Sequence, residues 1–420
     1  MVSDNYEYHG IQATRENWPE FLANISRIED LIGAFNFLPG PQFFSDKSIN
    51  TRQNKGLLSG VAVGVKDIYT TYDMPTGYGL RGTSLENNDI DAVVISRLRS
   101  AGALIIGKTV TTECAFGASG KTRNPRDLMR TPGGSSSGSA AAVAAGLVSL
   151  SVGSQTSGSI IRPAGYCGVW AIKPTFGCIP RTGMLSLSSS FDHPGFFAKS
   201  PELLVRAIDS TSGYDYGDQA TQGIKNTDIL SQFKTKTSHP RIAFLKPEFW
   251  DDIDSVARHR FEEIKKIFCT KEIIFEDEHN HLQKYHNIIL LYEASQNLCK
   301  FFNNNSYKYS NFLKERIKSG LDIQKDDYKS ALSRKELLSF RFLELFSGHD
   351  ALITPGTMGE APKGFKNTGS RIPAIPFSTF GLPTVNVPIV QGENGLPVGL
   401  QVVGRPGCEA EILRIAKFLY

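Results

Sequence analysis

The stretch TPGGSSSGSAAAVAAGLVSLSVGSQTSGSIIRPAGYCGVWAIKP, residues 131–174, is crowded with serine and glycine where a protein core would carry branched apolar residues. Glycine lets the backbone approach a ligand closely, and a serine hydroxyl can serve as nucleophile, proton relay or hydrogen-bond donor. Residues 137–146 predict a helix that ends at Gly146, and residues 148–152 predict a buried strand. The stretch therefore predicts a helix and a strand beside loops that can carry chemistry.

Helix and strand patterns also alternate upstream of this stretch. Apolar residues at helical spacing predict a helix over residues 93–100 and one or two helices over 12–35. Residues 58–69 read as a strand or strand pair and residues 103–106 as a strand, whereas residues 36–58 are loop-rich. This alternation predicts an α/β fold with a largely covered sheet.

The sequence changes character after about residue 205. Residues 206–350 carry Lys, Glu, Phe and Leu at helical spacings and predict a helical region that shapes a pocket. Residues 351–420 return to strand and loop patterns and end in a helix predicted over 409–419. The chain shows no internal repeat, and we interpret residues 1–420 as one large domain.

The composition argues against several classes of protein. Hydrophobic residues make up 40% and charged residues 21% of the 420 residues, which predicts a packed core rather than a disordered chain. The net charge of +4 is too small to argue for a nucleic-acid or membrane partner. No segment reaches the roughly 18 apolar residues of a membrane span, and the first residues lack the pattern of a signal peptide. The six cysteines are widely spaced and read as free thiols, so we expect a cytoplasmic protein.

A serine nucleophile needs a base, because a hydroxyl is a poor nucleophile at neutral pH. None of the eight histidines lies in a nucleophile-elbow context. Lys66 lies in the apolar segment GVAVGVKDIY, residues 60–69, and is the candidate base because burial lowers the pKa of a lysine. Taken alone, Lys66 can also be a surface lysine, and the serines at 135–137 can simply cap the helix that follows.

The lysine segment and the serine-rich stretch together resemble the amidase signature hydrolases. The resemblance runs from about residue 22 to the C-terminus and is strongest over 60–185, so that 60–205 is interpreted as the core that carries the site. It implies a single large α/β domain with a central mixed, mostly parallel, twisted β-sheet covered by helices on both faces.

Three motifs carry this resemblance and imply the catalytic residues. The sequence GVKD matches the lysine motif and implies Lys66 as the base. The glycine- and serine-rich motif at 133–139 implies Ser135 as a bridging serine that follows a cis peptide bond from Gly134. The sequence GSQTSGSIIRPA, residues 153–164, implies Ser159 as the nucleophile.

The resemblance also implies a mechanism and further contacts. Neutral Lys66 accepts a proton from Ser135, which accepts one from Ser159, and an acyl-enzyme forms and is hydrolysed by water. The oxyanion hole is expected from backbone N–H groups of Thr156, Ser157 and Gly158. Candidates for substrate contacts are Gly134 and Arg162. Arg162 also has a structural alternative, in which it ties the loop to a carboxylate or to carbonyl groups.

This sequence departs from the usual nucleophile motif at three positions. Gln155 stands where the family usually has an acidic residue, Ser157 stands where it has a glycine, and Ile161 stands where it has an arginine. Such versions of the motif are common among members of the family that act on small molecules.

We therefore predict an amidase that hydrolyses a small-molecule carboxamide to a carboxylate and ammonia or an amine. Two alternatives stay open: a glutamine-hydrolysing amidotransferase subunit that passes ammonia to a partner, and an inactive binding protein of the same fold. The interpretation needs no metal and no organic cofactor. It involves no nucleic-acid or membrane partner, and a homodimer is left open. The sequence does not identify which amide is the substrate.

Overall fold

In a computed structural model of the protein, the described residues are 18–40, 56–80, 89–224, 228–235, 239–275, 279–302 and 309–420. Their strands pair into one eleven-stranded sheet. The strands are β1 (Phe35–Phe37), β2 (Ala62–Lys66), β3 (Leu104–Thr109), β4 (Leu150–Gln155), β5 (Trp170–Lys173), β6 (His193–Ala198), β7 (Ile242–Lys246), β8 (Cys269–Ile274), β9 (Ala351–Pro355), β10 (Thr384–Gln391) and β11 (Pro397–Val403). Their order across the sheet is β1-β3-β2-β4-β6-β5-β10-β11-β9-β7-β8.

Helices cover the sheet on both faces, as alternate strand residues show. In β2, Val63 and Val65 belong to one hydrophobic cluster and Ala62 to another; in β3, Ile105 is separated from Leu104 in the same way. The helices are α1 (Trp18–Ile32), α2 (Val93–Ser100), α3 (Ser137–Ala144), α4 (Ile161–Cys167), α5 (Pro201–Thr211), α6 (Ile229–Lys234), α7 (Ser255–Phe268), α8 (His279–Phe302), α9 (Asn311–Leu321), α10 (Lys325–Glu344), α11 (Ile375–Thr379) and α12 (Glu409–Leu419). No helix among these residues is long and apolar enough to cross a membrane.

The expectation of one mixed sheet is confirmed, but the expectation that it is mostly parallel is wrong. Strands β2, β3 and β4 form parallel pairs, and so do β7, β8 and β9. The other six pairs are antiparallel. The parallel pairs occur where a helix crosses between strands: α2 joins β2 to β3 and α7 joins β7 to β8. A tight turn joins β10 to β11 and makes them antiparallel neighbours.

Most predicted elements lie where the sequence placed them. Helix α2 and helix α12 have the predicted bounds, and α3 ends just before Gly146, which has a φ of 75°. The predicted helix over 12–35 is α1, but its C-terminal end is strand β1, and residues 12–17 lie outside the described residues. Of the predicted loop 36–58, residues 41–55 lie outside them as well.

The region over 206–350 is helical, as predicted, but it also contains two strands. Strand β7 is nearly fully buried, whereas β8 lies at the edge of the sheet with mostly exposed side chains. An exposed edge strand has no alternation of apolar and polar residues, so its sequence, CTKEII, gives no strand signal.

The fold brings the three motifs to one edge of the sheet. Lys66 is the last residue of β2, and the loop that carries Ser159 follows β4 directly. Strands β2 and β4 are parallel neighbours, so their carboxyl ends lie side by side. Helix α3 begins just after Ser135 and packs against the same strands. In this way the topology places the lysine and both serine loops together.

Candidate active site

Lys66 is completely buried and contacts two serine hydroxyls. Its Nζ lies 2.7 Å from Ser135 Oγ and 2.9 Å from Ser154 Oγ. Burial holds the pKa of Lys66 well below its ordinary value; the charge of Arg162 acts in the same direction, and Asp192 opposes them. A neutral amine has two N–H donors and one lone pair. It can therefore donate to Ser154 and accept the proton of Ser135.

Backbone contacts fix the loop that carries Ser135. The Gly134–Ser135 peptide bond is cis, as the resemblance implies. Gly133 has a φ of +83°, and a Cβ there would lie 2.9 Å from Pro163 Cα, so this position needs a glycine. Ser136 Oγ donates to Ser154 O at 3.2 Å and ties the start of α3 to β4.

Arg162 is buried and binds backbone carbonyl groups. Its Nε and Nη2 donate to Gly134 O, the former at 3.2 Å, and its Nη1 donates to Gly369 O at 2.9 Å. Burial lowers the pKa of Arg162 to about 10. These contacts correspond to the structural alternative for Arg162, because they use its donors to hold the cis peptide loop and the loop at Gly369.

Gln155 organises the loop that carries Ser159. Its Oε1 accepts hydrogen bonds from the N–H groups of Ile160 at 2.8 Å and Ile161 at 2.9 Å, where α4 begins. Its Nε2 donates to Ser378 Oγ at 2.8 Å. The amide thus caps α4 at the position where the family usually has a carboxylate. The cap fixes the short connection between β4 and α4, and Ser159 lies in that connection.

Ser135 and Ser159 line the same cavity, which has a volume of about 690 Å³. The cavity wall also includes Thr156, Ser157, Gly158 and Arg162. Lys66 lies behind Ser135 in the protein interior, and Gly134 presents its carbonyl to Arg162. The structure therefore gathers the predicted site residues around one cavity or directly behind its wall.

Asp192 is a buried residue of this site that the sequence did not point to. Its Oδ1 accepts a hydrogen bond from Thr156 Oγ1 at 2.7 Å, and its Oδ2 accepts from the N–H groups of Leu187 and Ser188. Burial raises the pKa of Asp192 to about 6, against the lowering effect of these hydrogen bonds. Asp192 lies far along the chain from the motifs, and the local sequence FDHPG carries no recognisable signal.

His286 reaches the predicted oxyanion loop from helix α8. Its Nε2 lies 2.7 Å from Ser157 Oγ and its Nδ1 lies 2.8 Å from Thr379 Oγ1. Thr379 Oγ1 donates its proton to Ile375 O at 2.7 Å, so it accepts from His286 Nδ1–H. His286 Nε2 is then an acceptor, and the Ser157 hydroxyl donates to it.

The imidazole of His286 is held neutral in this position. It is fully buried and stacks on Phe191 with a ring separation of 4.5 Å. Burial holds the pKa of His286 well below its ordinary value, and the charges of Arg371 and Lys335 add to this effect. The departure at Ser157 was visible in the sequence. Its partner was not, because His286 lies more than a hundred residues away without a motif around it.

Comparisons with known proteins agree with this geometry. The profile of the family described as Amidase matches residues 19–413. A subunit of the glutamyl-tRNA(Gln) amidotransferase of Nostoc sp. is 32% identical over 451 residues, which cover 94% of this chain and 92% of that relative.

Two solved structures have the same fold. The corresponding glutamyl-tRNA(Gln) amidotransferase subunit of Thermotoga maritima has a TM-score of 0.81 and 30% identity, covering 96% of this chain and 90% of that one. A chain from a vestigial protein complex, described in connection with the evolutionary origins of an s-triazine catabolic enzyme, has a TM-score of 0.87 and 29% identity, covering 96% and 93%.

Proposed function

This chain belongs to the Amidase family, and from that membership we propose that it hydrolyses the C–N bond of a carboxamide through a seryl acyl-enzyme. One observation supports the proposal above others: the buried amine of Lys66 lies 2.7 Å from Ser135 Oγ, and Ser135 lines a cavity together with Ser159. A lysine that is neutral at working pH can serve as a general base.

The proposed reaction moves one proton along three side chains. Lys66 accepts the proton of Ser135, Ser135 accepts the proton of Ser159, and Ser159 Oγ bonds to the amide carbonyl carbon. The tetrahedral oxyanion accepts hydrogen bonds from the loop at Thr156, Ser157 and Gly158; losing one such donor costs roughly 2.7–4 kcal/mol of barrier. Collapse breaks the C–N bond, and the leaving amine receives the proton from Lys66 through Ser135. Water then attacks the ester by the same relay and releases the carboxylate.

For the substrate we propose a small-molecule amide whose ammonia or amine leaves into solution. The cavity of about 690 Å³ has the size of a small-molecule site. The departures at Gln155, Ser157 and Ile161 are those of family members that act on small molecules. We further propose that residues 206–350 shape this pocket, as expected from the sequence. A cytoplasmic location and a homodimer stay predictions.

A glutamine-hydrolysing amidotransferase subunit is the second candidate. It is favoured by the relatives from Nostoc and Thermotoga maritima, which carry that name at 32% and 30% identity. Against glutamine we note that no described residue of the cavity wall is acidic, although an α-ammonium group calls for a carboxylate partner.

Ammonia release decides between the two candidates. For a small-molecule amidase we expect the chain alone to hydrolyse simple amides faster than glutamine. If glutamine is the best substrate and its turnover rises when partner subunits are added, the amidotransferase interpretation replaces ours. Gel filtration of the same samples reports whether a complex has formed.

Labelling with a fluorophosphonate tests the nucleophile. We expect the wild-type protein to be labelled at Ser159, and Ser159→Ala to lose both labelling and turnover. Ser119→Ala is the matched control, because Ser119 lines the same cavity and has no role in the relay. Turnover by Ser159→Ala at the wild-type rate would refute the assignment. A wild-type protein that is neither labelled nor active on any amide would favour the inactive binding protein.

A further inference from the structure

The cavity wall carries four cationic side chains and, among its described residues, no acidic one. The cations are Arg162, Arg316, Lys366 and Arg371. Lys366 is exposed, and Arg162 binds the carbonyl groups of Gly134 and Gly369. Arg316 and Arg371 therefore need a separate explanation.

Arg316 projects from helix α9 and has no ion pair with a described carboxylate. Its guanidinium carbon lies 3.8 Å from the ring centre of Phe116 and 5.7 Å from that of Phe312. Its Nε is buried and has no hydrogen-bond partner. Burial lowers the pKa of Arg316 to about 10, and the charge of Arg371 adds to this. The aromatic rings hold the guanidinium but do not satisfy its donors.

Arg371 contacts neutral acceptors only, so its charge is also uncompensated. Its Nη2 donates to Asn287 Oδ1 at 2.6 Å and its Nη1 donates to Ser157 Oγ at 3.4 Å. Burial lowers the pKa of Arg371 as well. Two partly buried cations that repel each other cost folding free energy. A bound anion between them removes this cost.

We propose that Arg316 and Arg371 bind a carboxylate of the amide substrate, which makes the substrate the monoamide of a short dicarboxylic acid. A guanidinium offers two parallel N–H donors that match the two oxygens of a carboxylate. Arg371 also contacts Ser157 in the predicted oxyanion loop, so the carboxylate lies only a short chain away from the scissile amide. This inference rests on the proposed function and specifies its substrate.

The test compares acids with neutral amides of the same length. The probes are malonamate, succinamate and glutaramate, each paired with its diamide. Turnover is measured as ammonia release, and binding is measured as protection of Ser159 from fluorophosphonate. We expect at least one acid to exceed its diamide by about 10- to 100-fold in kcat/KM or in protection, the size of a lost charged hydrogen bond.

Substitutions assign that preference to the two arginines. Arg316→Gln and Arg371→Gln are expected to lose it, while the diamides react as with the wild type in Arg316→Gln. Arg316→Lys keeps the charge but not the paired donors, and we expect it to fall in between. Lys318→Gln is the control: Lys318 lies on the same helix, is exposed, and its substitution removes the same charge.

The outcomes separate this inference from the proposed function. If diamides are hydrolysed and protect as well as the acids, the carboxylate site is refuted and the amidase stands. The site is refuted as well if Arg316→Gln keeps the full preference for acids. A protein whose Ser159 is not labelled and that hydrolyses no amide refutes the proposed function first. In that case succinate binding, measured by calorimetry on wild type and Arg316→Gln, still tests the site.

Discussion

Substitution of methionine for Lys66 removes the amine and keeps an unbranched side chain in a fully buried position. The protein offers its own comparison, because Lys66, Lys108 and Lys173 are all completely buried. Of these three, only Lys66 contacts a hydroxyl that lines the cavity, at 2.7 Å. Lys173 Nζ donates to Pro174 O at 3.0 Å, and burial lowers its pKa to about 7. Lys173→Met is therefore the matched control for loss of a buried amine.

The expected loss follows from the role of Lys66 as general base. Such groups contribute roughly 10²- to 10⁴-fold in rate, which corresponds to about 2.7–5.4 kcal/mol of barrier. The fold should tolerate the change better. Ser135 and Ser154 each lose one hydrogen-bond partner, at about 1–3 kcal/mol for a buried group left unsatisfied, and removal of a buried amine offsets part of this cost.

The assay is kcat/KM for amide hydrolysis from pH 6 to 10, with thermal unfolding of the same samples. Because Lys66 acts as the neutral amine, kcat/KM of the wild type rises with pH through the lowered pKa of Lys66. We expect this rise to disappear in Lys66→Met and to persist in Lys173→Met. The reasoning is refuted if Lys66→Met retains activity within tenfold of wild type, or if Lys173→Met loses as much activity per folded molecule.

Three further substitutions test other parts of the site. The negative charge of Asp192 raises the pKa of Lys66, so Asp192→Asn should move the rise of kcat/KM to lower pH; a shift to higher pH would contradict this. The unfolded chain protonates His286 near pH 6.5 while the folded protein does not, so wild-type stability falls as the pH drops below that value. His286→Gln should lose up to about 1.4 kcal/mol less than wild type between pH 6.5 and 5.5 in urea unfolding, and equal losses would reject a neutral His286. Gly138→Ala should lower the melting temperature strongly, because its Cβ would lie 2.1 Å from Ala34 O; an unchanged value would show that the backbone yields there.

Local patterns predicted the elements whose sequence reflects their own environment. Helices α2 and α12 have one buried and one exposed face, and each begins and ends at the predicted residues. Strand β8 has no buried face to produce a pattern, so it was missed. The direction of strands was predicted less well, because pairing depends on contacts between distant segments. Strand β10, for example, lies between β5 and β11.

The site divides in the same way between local motifs and distant partners. Lys66, Ser135 and Ser159 stand in long motifs, and the structure brings their segments together at one edge of the sheet. Asp192, His286 and Arg316 reach the same place from isolated positions farther along the chain. A single sequence gives no signal for such partners, since what marks them is burial and contact in three dimensions.

The hydrogen bond between Ser157 and His286 links the nucleophile loop to a helix from the second half of the chain. An engineer who wished to change substrate range would first try to exchange that helix for one from a relative. Such a graft removes the imidazole and leaves the Ser157 hydroxyl without its acceptor, within the loop whose backbone donors are proposed to face the reacting carbonyl. A successful chimaera therefore needs a compensating change at position 157, and glycine is the natural choice because it asks for no partner. Selectivity and rate are thus inherited as one unit in this scaffold.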